Sequence, residues 1–205
     1  MEINITKIKQ EKPIKELIEF AIINTEKPKG CTSFDVAEKI RKIFQARKTG
    51  HFGTLDPMVT GVLPIAINRA CKLTTFFMKK NKTYTGTMRL HKEVKEEKIK
   101  KEMKKFIGTI MQKPPVKSSV KRELRQRTVY EFKIIKKHSK KVEFLAEVEA
   151  GTYIRKLISD LGQNIGGAHM TQLKRTKAGI FEETKMHTIQ EIEKAHKTYK
   201  KENKE

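Results

Sequence analysis

Hydrophobic positions along the chain alternate between two spacings, and the switches between them lay out its elements. Residues 17–23 form a short apolar run that Pro28-Lys29-Gly30 breaks, the pattern of a strand entering a turn. Val36, Ala37, Ile40, Ile43 and Phe44 then recur at helical spacing behind Thr32 and Ser33, either of which can cap the helix. Residues 50–61 read as a long loop, 62–67 as a buried strand and 70–78 as a short helix. Residues 82–90 form a strand with Tyr84, Gly86, Met88 and Leu90 on one face. Val94, Ile99, Met103, Phe106 and Ile107 gather on one side of a helix covered by Lys and Glu, for which Gly108 is a suitable C-terminal cap. Pro114-Pro115 ends the strand that follows. Residues 129–135 and 142–148 alternate apolar and polar around 136–141, the signature of a hairpin. A helix is predicted over 154–165, and Thr188-Ile189-Gln190-Glu191 is a capping box that opens a last helix, beyond which the charge from Lys197 onward predicts a fraying tail. Strands interrupted by single helices, with hairpins and no steady βαβ rhythm, imply an α+β domain on a mixed, mainly antiparallel sheet flanked by helices. There is no internal repeat.

Length and charge narrow the function classes. The 205 residues suit one sizeable domain, and 46 Lys and Arg against 24 Asp and Glu leave a net charge of +22, which points to a polyanionic partner. Cys31 and Cys71 lie far apart without metal-ligand spacing, which argues against a disulfide framework and a zinc site and fits a cytoplasmic protein. No apolar run approaches the length of a membrane span, and residues 1–19 lack the apolar region of a signal peptide.

Within 39–92 the only acidic residue is Asp56, where average acid content predicts roughly six. It is surrounded in sequence by Arg and Lys, so a polyanion drawn to this surface meets one isolated carboxylate. Asp56 lies in Gly50-His51-Phe52-Gly53-Thr54-Leu55-Asp56-Pro57, whose glycines permit close approach of a ligand backbone. Asp-Pro is also a common turn opener, and on turn chemistry alone that reading stands. A second basic concentration runs over 113–127, with Lys121, Arg122, Arg125 and Arg127 offering either a solvated face or RNA contacts. Gly151-Thr152-Tyr153-Ile154-Arg155 is a glycine-led entry to a helix with an Arg in its first turn. A glycosidase pair of carboxylates, a Gly-x-Ser-x-Gly elbow, a phosphate-binding Gly-Lys loop and a dinucleotide fingerprint are all missing. The residues by themselves lead to an RNA-binding α+β protein with one unusual Asp.

The stretch 50–57 followed by Thr60-Gly61-Val62-Leu63-Pro64-Ile65 resembles the catalytic motif of the TruB family of pseudouridine synthases. Further matches follow in order: Lys27-Pro28-Lys29-Gly30-Cys31-Thr32-Ser33, Lys82-Thr83-Tyr84, and Gly151 to Arg155 with Asp160-Leu161-Gly162 behind it. The segment Pro114-Pro115-Val116-Lys117-Ser118-Ser119-Val120-Lys121-Arg122, together with Arg89-Leu90-His91 and Gly167-Ala168-His169-Met170, is similar to the archaeal and eukaryotic dyskerin branch. The likeness implies a pseudouridine synthase fold and a cofactor-free isomerisation of uridine in structured RNA. The substrate is either the T-loop uridine of tRNA, or an rRNA uridine with the chain as catalytic subunit of an H/ACA guide ribonucleoprotein. It implies RNA as partner, H/ACA proteins as further partners, and a monomer outside such a particle.

Residue by residue, the resemblance makes Asp56 the nucleophile, Arg155 the group that holds it, and Tyr84 the residue that stacks on the flipped base and takes the C5 proton. His51 fills the space left by the extruded nucleotide or contacts RNA near it. Lys27 and Pro28 support the loop, Tyr153 packs against the catalytic residues and Leu173 lines the uracil pocket. Lys27, Lys121 and Arg122 are counted with the RNA-binding residues. The layout expected is an N-terminal extension to residue 22, a catalytic domain over 23–195 and a charged tail over 196–205, without the C-terminal PUA domain usual in the family. A non-catalytic RNA-binding or chaperone protein of the same fold is the alternative.

Overall fold

The computed structural model describes residues 12–115 and 120–202. The elements are α1 (Ile14–Ile18), β1 (Phe20–Lys27), α2 (Ser33–Ile43), β2 (Thr49–His51), β3 (Thr60–Asn68), a 3₁₀ turn (Arg69–Leu73), α3 (Thr74–Met78), β4 (Lys82–Leu90), α4 (Glu96–Lys104), β5 (Gly108–Gln112), β6 (Arg125–His138), β7 (Lys141–Val148), α5 (Ile154–Ile165), β8 (Ala168–Ala178), β9 (Phe181–Glu182) and α6 (Ile189–Glu202). Among the described residues the strands join one sheet in the order β1-β3-β8-β4-β7-β6-β5, with β2 on β3 and β9 on β8. Only β3 and β8 run parallel, meeting at Thr60↔Lys174 and Gly61↔Arg175. The α+β class and the mixed, mainly antiparallel sheet are as the alternation of patterns predicts.

Two larger cores form because the helices cover different stretches of the sheet, and a third, small cluster gathers Phe52, Ala66 and Ala70. Helices α4 and α5 bury Ile99, Met103, Leu157, Ile158 and Leu161 against Val142, Phe144, Ala146 and Val148 of β7. Helix α2, capped by Thr32 through a full capping box, buries Val36, Ala37 and Ile40 with Leu63, Ile65 and Ile67 of β3 and with Ile189 and Ile192 of α6. Tyr84 and Leu173, from β4 and β8, pack against both cores. The joint between the two halves of the sheet is therefore also where the predicted base-binding residues stand.

Three expectations are corrected, and one strand the pattern did not predict is added. Residues 17–23 are not one strand. Pro13 with its fixed φ precedes the short helix α1, and pairing begins only at Phe20 because its partner β3 ends at Asn68. Residue 22 is thus inside β1, and α1 is already joined to the domain through the Asn68 side chain, whose amide donates to the Ile18 carbonyl at 3.4 Å. Helix α4 stops at Lys104, and Gly108, at φ +99°, opens β5 instead of capping a helix. Residues 168–178, which show no apolar alternation, form β8 in the middle of the sheet. From Lys197 the chain does not fray but continues α6 to Glu202. The Thr188–Glu191 capping box starts that helix, Glu193 pairs with Lys197 at 3.1 Å, and the His196 ring packs on Phe44. Val116, Lys117, Ser118 and Ser119 of the Pro-Pro segment lie outside the described residues.

Candidate active site

Asp56 sits in the connection between β2 and β3, and the connection is held from beneath at nearly every residue. The Leu55 N–H donates to Ser33 Oγ at 2.8 Å, and that hydroxyl stands 3.2 Å from the Leu55 carbonyl. The Val59 N–H closes a turn on the Asp56 carbonyl at 3.0 Å, and the Gly30 N–H donates to the Pro57 carbonyl at 2.9 Å. Asp56 does open a turn, as Asp-Pro predicts, and its carboxylate is left free to do something else. Leu55 and Val59 on either side of it are buried in the core beneath α2.

Lys27 explains why the loop keeps this shape. Its side chain is fully buried, and its ammonium donates to the carbonyls of Pro28, Cys31 and Pro57 at 2.9, 2.8 and 3.1 Å. Burial pulls its pKa below the usual lysine range, and the Asp56 carboxylate nearby works against that shift. An ammonium has three protons to donate, and all three have carbonyl acceptors here. Lys27 therefore supports the loop, its ammonium buried and turned to three backbone carbonyls rather than to solvent.

Arg155, in the first turn of α5, donates from Nη2 to Asp56 Oδ2 at 3.0 Å. Both side chains remain open to solvent, 60% for Arg155 and 58% for Asp56. The Arg is aimed by its helix, whose start is fixed by a reciprocal pair: the Tyr153 N–H donates to Gln112 Oε1 at 3.0 Å, and Gln112 Nε2 donates to the Tyr153 carbonyl at 3.3 Å. Gln112 is buried at the end of β5. Tyr153 is thus half-buried at the entry of α5, two residues from Arg155.

Tyr84 lies on β4 opposite Arg175 of β8, at a register shift. Arg175, which sequence reasoning passed over, is 1% exposed. Its Nε donates to the Val62 carbonyl at 2.8 Å and its Nη2 to the Gly53 carbonyl at 3.0 Å, and burial lowers its pKa while the neighbouring Tyr84 side chain works the other way. One guanidinium therefore ties the Tyr84 strand to the loop that carries Asp56. Gly53, at φ +109°, lies directly over it; a Cβ there would stand 3.6 Å from Arg175 Nη1 and 3.7 Å from Lys82 Cε. The buried Lys82 ammonium donates to the carbonyls of Phe77, Met78 and Lys80 at the end of α3. Burial, with the Arg175 charge added, lowers its pKa to about 8. His51 is half-buried with Nδ1 lacking a hydrogen-bond partner, and burial and the same Arg175 charge push its pKa down, so its ring is neutral at pH 7.

A cleft of about 520 Å³ opens on the uncovered face of the sheet beside this loop. Met58 and Thr60 line it from the loop side, Gly86 and Leu173 form its floor, and Lys29 and Lys174 supply positive charge. Gly86 admits no side chain, since a Cβ would meet Phe144 Cζ at 2.6 Å and Leu173 Cδ1 at 3.0 Å. Lys121 and Arg122 are exposed on the connection from β5 to β6. Lys121 pairs with Glu123, and Arg122 Nε donates to the Pro114 carbonyl at 3.2 Å, so their partners lie in that connection and not in the Asp56 loop. Among the described residues no group of His, Cys, Asp and Glu is gathered as metal ligands, and no helix is long and apolar enough to cross a membrane.

The fold is that of the pseudouridylate synthases. It superposes with a TM-score of 0.90 and 42% identity on the solved structure described as "Crystal Structure of a Cbf5-Nop10-Gar1 Complex", covering 95% of this chain and 60% of that one. A second match, "Structure of H/ACA RNP bound to a substrate RNA containing 2'-deoxyuridine", has a TM-score of 0.86 and 39% identity, covering 95% and 59%. Within that class the sequence sets the family. Residues 41–154 match the TruB family pseudouridylate synthase N-terminal domain and residues 155–205 the tRNA pseudouridylate synthase B C-terminal domain, so the chain belongs to the TruB family. A relative in Archaeoglobus fulgidus, "Probable tRNA pseudouridine synthase B", is 43% identical over 196 residues, which are 95% of this chain and 60% of that protein. The chain spans between 52% and 60% of the length of the curated relatives it matches.

Proposed function

We propose that the chain is an RNA pseudouridine synthase with Asp56 as its nucleophile. The observation that carries this is the solvent-open Asp56 carboxylate, held by Arg155 at 3.0 Å on a loop that Lys27, Ser33 and Arg175 fix from below. The Asp56 carboxylate attacks C1′ of the uridine, and the C1′–N1 bond breaks with its electrons on N1. The base turns while stacked on Tyr84, and C5 bonds to C1′ as the carboxylate leaves. Tyr84 then takes the proton from C5, and N1 receives one, so the product is an isomer of the substrate. No water is activated, which is why one carboxylate suffices where a glycosidase needs two. His51, neutral and on the same loop, meets the RNA beside the extruded nucleotide.

The substrate class is uridine in a structured RNA loop, in tRNA, in guided rRNA, or in both. The relatives named for tRNA support the first, and the likeness to a subunit of H/ACA particles supports the second, with RNA and H/ACA proteins as partners. The cytoplasmic location rests on the sequence alone. Unmodified tRNA carrying tritium at C5 of uridine, incubated with the protein beside Asp56→Asn, tests the reading. Tritium release by wild type alone is expected; release only after guide RNA and H/ACA proteins are added assigns it to the guided particle. Tight binding without release in either setting leaves a non-catalytic RNA-binding protein.

A further inference from the structure

A second concentration of positive charge stands at the far end of β3. That strand leaves the Asp56 loop at Thr60 and ends at Asn68, about 26 Å further on at the rise of an extended chain. Around its end is a hollow of about 330 Å³ lined by Arg47, Lys48, Asn68, Arg69, Cys71 and Lys72. Four of these are cations exposed to solvent. Among the described residues Arg47 is shared with Glu19, while Lys48, Arg69 and Lys72 form no ion pair.

The backbone at the centre of this hollow is strained. Asn68 has φ +50° and ψ −117°, a conformation that a residue with a side chain rarely adopts. It is held there by its own amide and main chain. Asn68 Oδ1 accepts from the N–H groups of Arg47 at 3.0 Å and Lys48 at 3.3 Å, and the Asn68 N–H donates to the Lys48 carbonyl at 2.8 Å. The effect is to clamp the basic pair 47–48 against the basic turn 69–72, with Arg47 held by Glu19, whose carboxylate also meets the Asn68 amide at 3.5 Å, and with Lys48, Arg69 and Lys72 left around one opening. Strain that neighbours over-determine, at a place with no catalytic group, marks a site built to receive something. Unpaired Arg and Lys side chains around a small hollow receive phosphate, and the Asn amide that might have read a base edge is already committed to backbone.

We infer that this hollow is a phosphate-binding site for the backbone of the RNA stem whose loop is presented to Asp56. The inference rests on the RNA reading above and adds to it a contact that positions the substrate without reading its sequence. The distance along β3 suits a helical stem leading away from the loop, and a stem held at a second point presents its loop in one orientation.

The test compares Lys72→Gln and the double variant Lys48→Gln, Lys72→Gln with Lys104→Gln, an exposed residue of α4 without an ion pair that removes the same charge. Binding of a fluorescent RNA hairpin with a full stem, and of the same loop on a minimal stem, is measured over a range of salt. For the full stem, the slope of log affinity against log salt should shrink by about 0.7 to 0.9 for each phosphate contact removed. Affinity at fixed salt should fall several-fold, while the minimal stem binds as before and Lys104→Gln changes neither. Equal effects of Lys72→Gln and Lys104→Gln on both RNAs would overturn the proposal, because net charge alone would then account for them. Tritium release is read separately: a protein that passes the salt test but never isomerises uridine keeps the stem site and loses the assigned chemistry.

Discussion

Arg155 Nη2 stands 3.0 Å from Asp56 Oδ2, joining two residues 99 positions apart, and neither side chain is buried. An ion pair this exposed contributes about 0–1 kcal/mol to stability, so the fold does not depend on it. Asp56→Asn should melt within a degree or two of wild type and lose tritium release by at least about 10³-fold. Arg155→Lys keeps the charge but not the planar fork that fixes the carboxylate, and the expected loss is about a hundredfold with RNA affinity little changed. Parallel thermal melts and single-turnover assays check both. A large fall in melting temperature for Asp56→Asn would show that the carboxylate is a structural turn cap after all.

Lys27 makes the opposite prediction, because it touches no solvent and donates to three carbonyls. Lys27→Met keeps the volume and removes the donors, leaving the Pro28, Cys31 and Pro57 carbonyls poorly satisfied in a buried site. The expected cost is about 3 kcal/mol, which for a chain of this size is roughly 6–12 °C in melting temperature. Turnover should fall with it, since the loop that carries Asp56 moves. A melt unchanged from wild type would remove Lys27 from the account of the loop.

How much of this the sequence shows depends on the distance over which each residue acts. Asp56 was legible because it is the sole acid in a basic stretch, and Gly151 to Arg155 because a glycine-led helix start is a local feature. The β6–β7 hairpin and helix α5 were legible because each buries a face with its own period. Strand β8 was not, since its two neighbours β3 and β4 supply the pairing while much of it stays exposed; of its residues only Ala168, Arg175 and Ala178 are buried. Arg175 was missed for the same reason. An Arg two residues from Leu173 in a polar run reads as surface, and only the parallel contact of β8 with β3 carries it under Gly53. Lys27 was placed in the right motif without its burial, because burial of a lysine cannot be read from its neighbours in sequence.

Lys82 gives the protein a stability that depends on alkaline pH. Its folded pKa of about 8 lies below its ordinary 10.5, so between those values the unfolded state binds a proton that the folded state has released. Stability therefore rises with pH across that window, by at most about 1.4 kcal/mol per pH unit for one proton, and the gain disappears as pH falls through 8. Other groups titrate in the same range, so the readout is the difference between wild type and Lys82→Met. Urea midpoints at pH 8, 9 and 10 should climb more steeply for wild type than for the variant. Parallel curves would mean that the ammonium is not desolvated between α3 and Arg175.

Gly61 tests the joint on which the site depends. It lies at φ +103° where β3 runs parallel to β8, and a Cβ there would fall 2.2 Å from the Arg175 carbonyl oxygen and 3.0 Å from its nitrogen. Both atoms are backbone, so no rotamer change relieves the clash; β3 and β8 must separate. Gly61→Ala should cost about 3 kcal/mol or more from strain and overpacking together. The damage should also reach function. Separation at Gly61 draws Arg175 away from the Gly53 and Val62 carbonyls, and with it the link between Tyr84 and the Asp56 loop. At a temperature where the variant remains folded, tritium release should drop well beyond the fraction unfolded, whereas Gly30→Ala, at a similarly positive φ of +93° but with open space around the added methyl, should lose stability from backbone strain alone. If Gly61→Ala turned over normally once folded, the Arg175 bridge would not be what sets Tyr84 and Asp56 in register.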